Sequence, residues 1–216
     1  MAVRSGSFLT RPRGRVESAA KAKAMQWLPT TRYPPRPRMT TDPLACPDDS
    51  LCISLIGMPG AGKSAVGARV AEALGWAHVD TDYLIEATYG VRLQVIADAL
   101  DKEHFLDVEA AVIGAMRMQR TVISTGGSVV YRAEAMRWLA SLGPVIHLDA
   151  PLPLLLERIA RNPDRGIAIA PGQTIDDLLR EREALYRQWA THSVPVAGFS
   201  IVQCAEAVLA AVGRLA

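Results

Sequence analysis

Apolar positions along this chain fall into two regimes that meet near residue 50. Beyond that point short apolar runs alternate with stretches in which apolar residues recur every three or four positions. Leu51-Cys52-Ile53-Ser54-Leu55-Ile56 is a short apolar run before glycines, which predicts a buried strand. Val66, Val70, Ala73 and Leu74 then sit at helical spacing over residues 63–74, and Gly75 stops them. Ala77-His78-Val79 predicts a second strand ending at Asp80, and residues 81–119 read as helices broken near Gly90 and Asp101. Thr121–Ser124 is a third strand that runs into Gly126-Gly127. A helix near 132–141 precedes a fourth strand, Pro144–Leu148. Helices follow at about 152–161 and 174–190, separated by a Pro/Gly/Asp loop. A short last strand, Val194–Ala197, and an amphipathic helix over 200–214 close the chain. Strands alternating with helices predict an α/β domain whose parallel sheet is covered on both faces.

The first 49 residues follow neither period, apart from a short helical stretch near Ala19–Leu28. They are rich in Arg, Pro, Ser and Thr and cannot bury enough surface to offset the entropy of ordering. The chain therefore divides into a basic Arg/Pro-rich extension over 1–49, expected to be disordered, and a domain over 50–216. Charge sharpens this division. Of 216 residues, 24 are Lys or Arg and 22 are Asp or Glu, a formal net charge of +2. Residues 1–40 alone carry +8, so the remainder carries −6. The extension reads as a dispensable segment or an over-long reading frame with Met25 or Met39 as the real start; an organellar transit peptide or an arm for polyanions are the alternatives. No run of about 18 uncharged apolar residues exists, which excludes a membrane-spanning helix. Cys46, Cys52 and Cys204 are odd in number and form no CxxC pair, so neither a disulfide framework nor a Cys-rich zinc site is expected.

Gly57-Met58-Pro59-Gly60-Ala61-Gly62-Lys63-Ser64 fits GxxxxGK[ST] in full, between a strand and a helix. Glycines let backbone N–H groups turn inward around phosphate oxygens, and the helix N-terminus adds partial positive charge. Gly60, Ala61, Gly62, Lys63, Ser64 and Ala65 are thus the nucleotide-binding residues, with Lys63 reaching the β- and γ-phosphates and Ser64 ligating Mg²⁺. Asp80-Thr81-Asp82 lies at the carboxyl end of the second strand, where α/β sheets gather their ligands. If extended geometry persists, Asp80 and Asp82 point the same way. One carboxylate can hold Mg²⁺ and the other can accept the proton of an attacking hydroxyl. The competing reading is that Thr81 or Asp82 caps the following helix.

GMPGAGKS, DTD, Thr125-Gly126-Gly127, a loop with Arg165, and Arg182-Glu183-Ala184-Leu185-Tyr186, in that order over about 51–215, resemble the shikimate kinase family. The resemblance implies a three-layer α/β P-loop kinase with a five-stranded parallel sheet flanked by helices, a lid and an acceptor-binding helical region. It implies ATP and Mg²⁺ as cofactors and a small carboxylate-bearing metabolite as acceptor. By the same resemblance Asp80 is the Mg²⁺-side acid, Asp82 holds the acceptor hydroxyl, and Gly126 and Gly127 line the acceptor pocket. Arg165 reaches the transferring phosphate, Arg161 packs against adenine, and Arg182 grips the acceptor carboxylate. The Lys63, Mg²⁺ and Arg165 charges are what phosphoryl transfer requires around three equatorial oxygens.

Three positions depart from the family pattern. Its FRxxE reads Phe105-Leu106-Asp107-Val108-Glu109 here, Ser128 replaces the third glycine, and Gly166 follows the lid arginine in place of proline. Replacing the arginine by Leu106 removes a carboxylate partner and leaves Glu109 unpaired, which is unfavourable in a partly buried site. An acceptor with an ammonium group would answer both losses, with Arg182 on its carboxylate and Glu109 on its –NH₃⁺, aided by Asp82 or Asp107. Homoserine is therefore expected ahead of shikimate, unless Arg92 or Arg132 moves in to serve shikimate. A nucleotide-binding module without catalysis is the alternative of another class, and the presence of both Asp80 and Asp82 beside Lys63 argues against it, since binding alone needs no acceptor base. A nucleoside monophosphate kinase would need more arginines than Arg92 and Arg117 over residues 84–119. A cytoplasmic monomer with no specific nucleic-acid or membrane partner is expected.

Overall fold

Five short parallel strands organise the protein: β1 (Ile53–Ile56), β2 (Ala77–Asp80), β3 (Thr121–Ser124), β4 (Val145–Asp149) and β5 (His192–Pro195), in the order β2-β3-β1-β4-β5. The structure is a computed structural model that describes residues 51–161 and 174–213. The basic extension and the loop carrying Arg165 and Gly166 lie outside the described residues. Eight helices are found among the described residues: α1 (Lys63–Leu74), α2 (Thr81–Tyr89), α3 (Leu93–Ala99), α4 (Lys102–Ala115), α5 (Ala133–Leu142), α6 (Leu152–Ala160), α7 (Ile175–Trp189) and α8 (Ile201–Val212). A 3₁₀ turn spans Val129–Tyr131.

Parallel strands are buried on both faces, which is why β1 and β3 are wholly buried and read as continuous runs rather than alternations. Their side chains join α1, α5, α7 and α8 in one core that includes Leu55, Val70, Ile123, Met136, Leu139, Tyr186 and Val208. A second, smaller core of Ile85, Tyr89, Ile96, Phe105, Val108 and Val112 holds α2, α3 and α4 to one another. That separate cluster makes the helices after β2 a distinct layer above the carboxyl ends of the strands.

The expected breaks have clear causes. Gly90 ends α2 in the left-handed region at φ 69°, and the Asp101 carboxylate accepts from the His104 N–H to start α4. The last strand begins two residues before its expected start, because His192 and Ser193 pair with Ile146 and His147 although they are polar. Strand β5 lies at the sheet edge, where one side need not be apolar. Among the described residues no helix is long and apolar enough to cross a membrane, and Cys52 and Cys204 are buried thiols outside any disulfide.

Candidate active site

Strands to the left and right of β1 are reached by crossovers in opposite directions, so a crevice opens at its carboxyl end. The phosphate loop fills it. Gly62 takes φ 99° immediately before α1, a conformation in which any Cβ is strained, and no side chain caps α1. The first N–H groups of α1 are thereby left for an anion. The Lys63 side chain is buried and its ammonium donates to the carbonyls of Gly57 (2.7 Å) and Met58 (2.9 Å), which folds it back over the loop.

Asp80 and Asp82 both line the cavity in front of this loop, though not as one extended segment. Asp80 ends β2, and Asp82 already lies in the first turn of α2. The capping residue is Asp80 itself, not Thr81 or Asp82: one of its oxygens accepts from the Asp82 N–H at 3.0 Å. Its other oxygen accepts the Ser64 hydroxyl. One oxygen of this carboxylate thus caps α2 while the other faces Ser64. This pair of hard oxygen donors fits Mg²⁺, which takes one or two protein oxygens and completes its shell with phosphate and water.

The cavity, about 580 Å³, continues from Lys63, Ser64 and Asp80 to Asp82, Glu109, Gly126, Gly127 and Arg182. Glycine is required at 126 and 127 by close approach. A Cβ at Gly126 would collide with the Glu109 carboxylate and stand 3.1 Å from the Asp82 carboxylate. A Cβ at Gly127 would stand 2.7 Å from the Pro59 ring and 3.1 Å from the Arg182 guanidinium. The segment is pinned by the Gly126 N–H donating to Thr81 Oγ1 and by the Tyr186 hydroxyl donating to the Gly127 carbonyl at 2.6 Å. Arg182 is 2% exposed; its guanidinium donates to the Tyr131 hydroxyl and lies over that ring. A buried, fixed guanidinium facing a cavity is suited to a carboxylate.

Glu109 is buried on α4 and accepts the hydroxyl of Ser128. Burial pushes its pKa up to about 7, the Asp82 charge adds to the rise, and the Ser128 hydrogen bond, Arg182 and Lys63 oppose it. Because the folded value lies above the unfolded one, ionising Glu109 opposes folding. The stability it contributes is complete below about pH 4.5 and is lost as pH rises through about 7. Glu109→Gln should therefore raise stability at pH 8 by on the order of 1–3 kcal/mol. Paired thermal melts would check this, and the advantage should shrink as pH falls toward 4.5.

Several residues occupy places other than those expected. Leu106 is 2% exposed and does not line the cavity, so it is an interior residue and not an acceptor contact. Asp107 is also outside the cavity, held with Glu103 by Arg132 at 2.8 Å and 2.9 Å. The expectation of an ammonium-bearing acceptor rests on an unpaired Glu109, and the structure removes that premise. Ser128, the second departure from the family pattern, supplies the partner. Arg161 points outward to Glu157 at 2.6 Å and lines neither cavity of the site. Arg158, one turn earlier, donates to the Gly60 and Ala61 carbonyls at 3.1 and 3.3 Å. With Ala65, Ile159, Val196 and Phe199 it lines a smaller cavity of about 290 Å³ beside the loop, apolar enough for a flat base. Arg158 lies in the last turn of α6 and Arg161 caps its end, so spacing alone could not choose between them. No short-range signal pairs Ser128 with Glu109, which are 19 residues apart.

A phosphate loop, an acid at the end of β2 and a cavity continuous with both define an ATP-dependent small-molecule kinase of the P-loop class. The sequence model of the family described as shikimate kinase matches residues 59–212. A shikimate kinase of Caldanaerobacter subterraneus subsp. tengcongensis is 36% identical over 166 residues, 76% of this chain and 96% of its own. One of Chromobacterium violaceum is 39% identical over 139 residues, 63% of this chain and 76% of its own. The solved shikimate kinase from Acinetobacter baumannii in complex with shikimate superimposes with a TM-score of 0.70 at 29% identity, covering 77% of this chain and 96% of that one. The chain belongs to the shikimate kinase family.

Proposed function

We propose that the chain transfers the γ-phosphoryl group of ATP to a hydroxyl of shikimate. The observation that carries this reading is the continuity of one cavity from Lys63, Ser64 and Asp80 to Asp82, Glu109 and Arg182. Donor phosphate and acceptor can therefore be held side by side in one cavity. Arg182 anchors the acceptor carboxylate, and Gly126 and Gly127 leave room for the ring. The Asp82 carboxylate takes the proton of the attacking hydroxyl as the new O–P bond forms and the bond to the β-phosphate oxygen breaks. Lys63 follows the charge that moves onto the transferred group. Mg²⁺, held by Ser64 and Asp80, would neutralise phosphate charge when bound. Arg165 is assigned to the transferred phosphoryl group, and Arg158, in place of Arg161, to the base; the first assignment rests on the resemblance alone.

Shikimate now stands ahead of homoserine for two reasons. Family membership favours it, and Glu109, with Ser128 as partner and a raised pKa, offers little to an ammonium group. A coupled assay of ADP release with each acceptor tests the reading. Shikimate-dependent turnover with homoserine at background is expected, and the reverse would overturn it.

A further inference from the structure

We propose that Arg92 is a specificity-determining residue of the acceptor site, supplying from the start of α3 the cation that the family pattern places at position 106 on α4. The inference rests on the acceptor reading above and deepens it. A carboxylate-bearing acceptor brings one negative charge into a cavity already lined by Asp80, Asp82, Glu86 and Glu109. Position 106 offers no compensation, because Leu106 is apolar and interior. Among the described residues the cationic side chains lining the cavity are Lys63, Arg92 and Arg182, and Lys63 is turned onto the phosphate loop. Arg132, the other arginine expected to serve shikimate, is engaged by Glu103 and Asp107 outside the cavity.

Helix capping gives no reason for an arginine at 92. The residue occupies the N-cap of α3, where Ser, Thr, Asp or Asn are preferred, and its side chain makes no capping hydrogen bond. The capping is done instead by Glu86, whose carboxylate accepts the Leu93 N–H at 2.9 Å. Arg92 reaches the same carboxylate only at 3.5 Å, long for a charged pair, and its side chain is 80% exposed. It is a long cation on a loose tether at the wall of the cavity. An acceptor carboxylate could exchange with Glu86 as its partner with little loss. Arg182 is the opposite kind of group, buried and held by Tyr131, so the acceptor would meet one rigid guanidinium and one that closes onto it.

The test compares full-length wild type, Arg92→Ala and Arg92→Lys with shikimate and with its neutral carboxamide as acceptors. Arg92→Ala should raise the KM for shikimate by about tenfold to a hundredfold, far more than any change in kcat or in the KM for ATP. The wild-type preference for shikimate over the carboxamide should shrink by the same factor, and Arg92→Lys should recover part of it. A merely structural role would lower the melting temperature and leave that preference in place. A KM for shikimate within twofold of wild type in Arg92→Ala would overturn the proposal while leaving the acceptor reading intact. Absence of shikimate turnover in the wild type would instead sink the acceptor reading and the Arg92 assignment with it.

Discussion

Lys63→Ala should lower kcat by about 10²–10³-fold, the loss seen when one preorganised donor to a developing anion is removed. In phosphoryl transfer the charge spreads over the equatorial oxygens of the transferred group, and the protein has little covalent chemistry to perform. Lys63 sits at the first position of α1, buried, with its ammonium held by the Gly57 and Met58 carbonyls. That placement is prepared before nucleotide arrives, so little reorganisation is needed at the moment of reaction. Two carbonyls lose their donor in the variant, and each lost hydrogen bond is worth about 1 kcal/mol, so the melting temperature should fall modestly. Lys63→Arg should not restore the rate, because a planar guanidinium cannot take the place of a compact ammonium inside the loop. Initial rates of ADP release, with circular dichroism to show that the fold persists, would check both statements. Turnover near the wild-type level in Lys63→Ala would contradict the role.

Asp82→Asn should lower kcat by about 10²–10⁴-fold, the range of a positioned general base. Asn keeps the shape of the side chain and leaves the backbone N–H bond to Asp80 untouched, but it cannot take the proton of the acceptor hydroxyl. Binding of ATP should change little, since the Ser64 and Asp80 oxygens are retained. The variant should also report on Glu109. The Asp82 charge helps to raise the Glu109 pKa, so its removal should bring that pKa down from about 7, visible as a shift of the pH at which stability falls. A variant that binds ATP normally and still turns over normally would exclude Asp82 as the base.

The parts of this site that were legible in the chain are those made by neighbours in sequence. The phosphate loop is eight consecutive residues, and its strand–loop–helix setting follows from Ile53–Ile56 on one side and the spaced Val66 and Val70 on the other. Asp80 and Asp82 are two residues apart, so a bend from strand to helix between them could not separate them, even though it replaced the extended geometry with a cap. Gly126 and Gly127 were visible as a strand end. What the pattern could not show was which face of a helix turns inward. Arg158 lies in the last turn of α6 and Arg161 three residues on at its C-cap, and only the packing of α6 beside the loop brings the first of them to the Gly60 and Ala61 carbonyls. The Leu-for-Arg change at 106 removes a cation from the family pattern, and the order of residues could not show that Leu106 is interior while Arg92 reaches the cavity from another helix.

The sequence by itself determined the fold class, the nucleotide loop and the pair of acids, because short-range backbone geometry and periodic burial specify them. The tertiary structure alone decided the electrostatics of the acceptor side. Ser128 reaches Glu109, Arg132 is drawn off to Glu103 and Asp107, and Arg92 is brought to the same cavity as Arg182. Each of these joins residues from different elements. Their energies depend on distance and burial, which are properties of the packed layers and not of the order of residues along the chain.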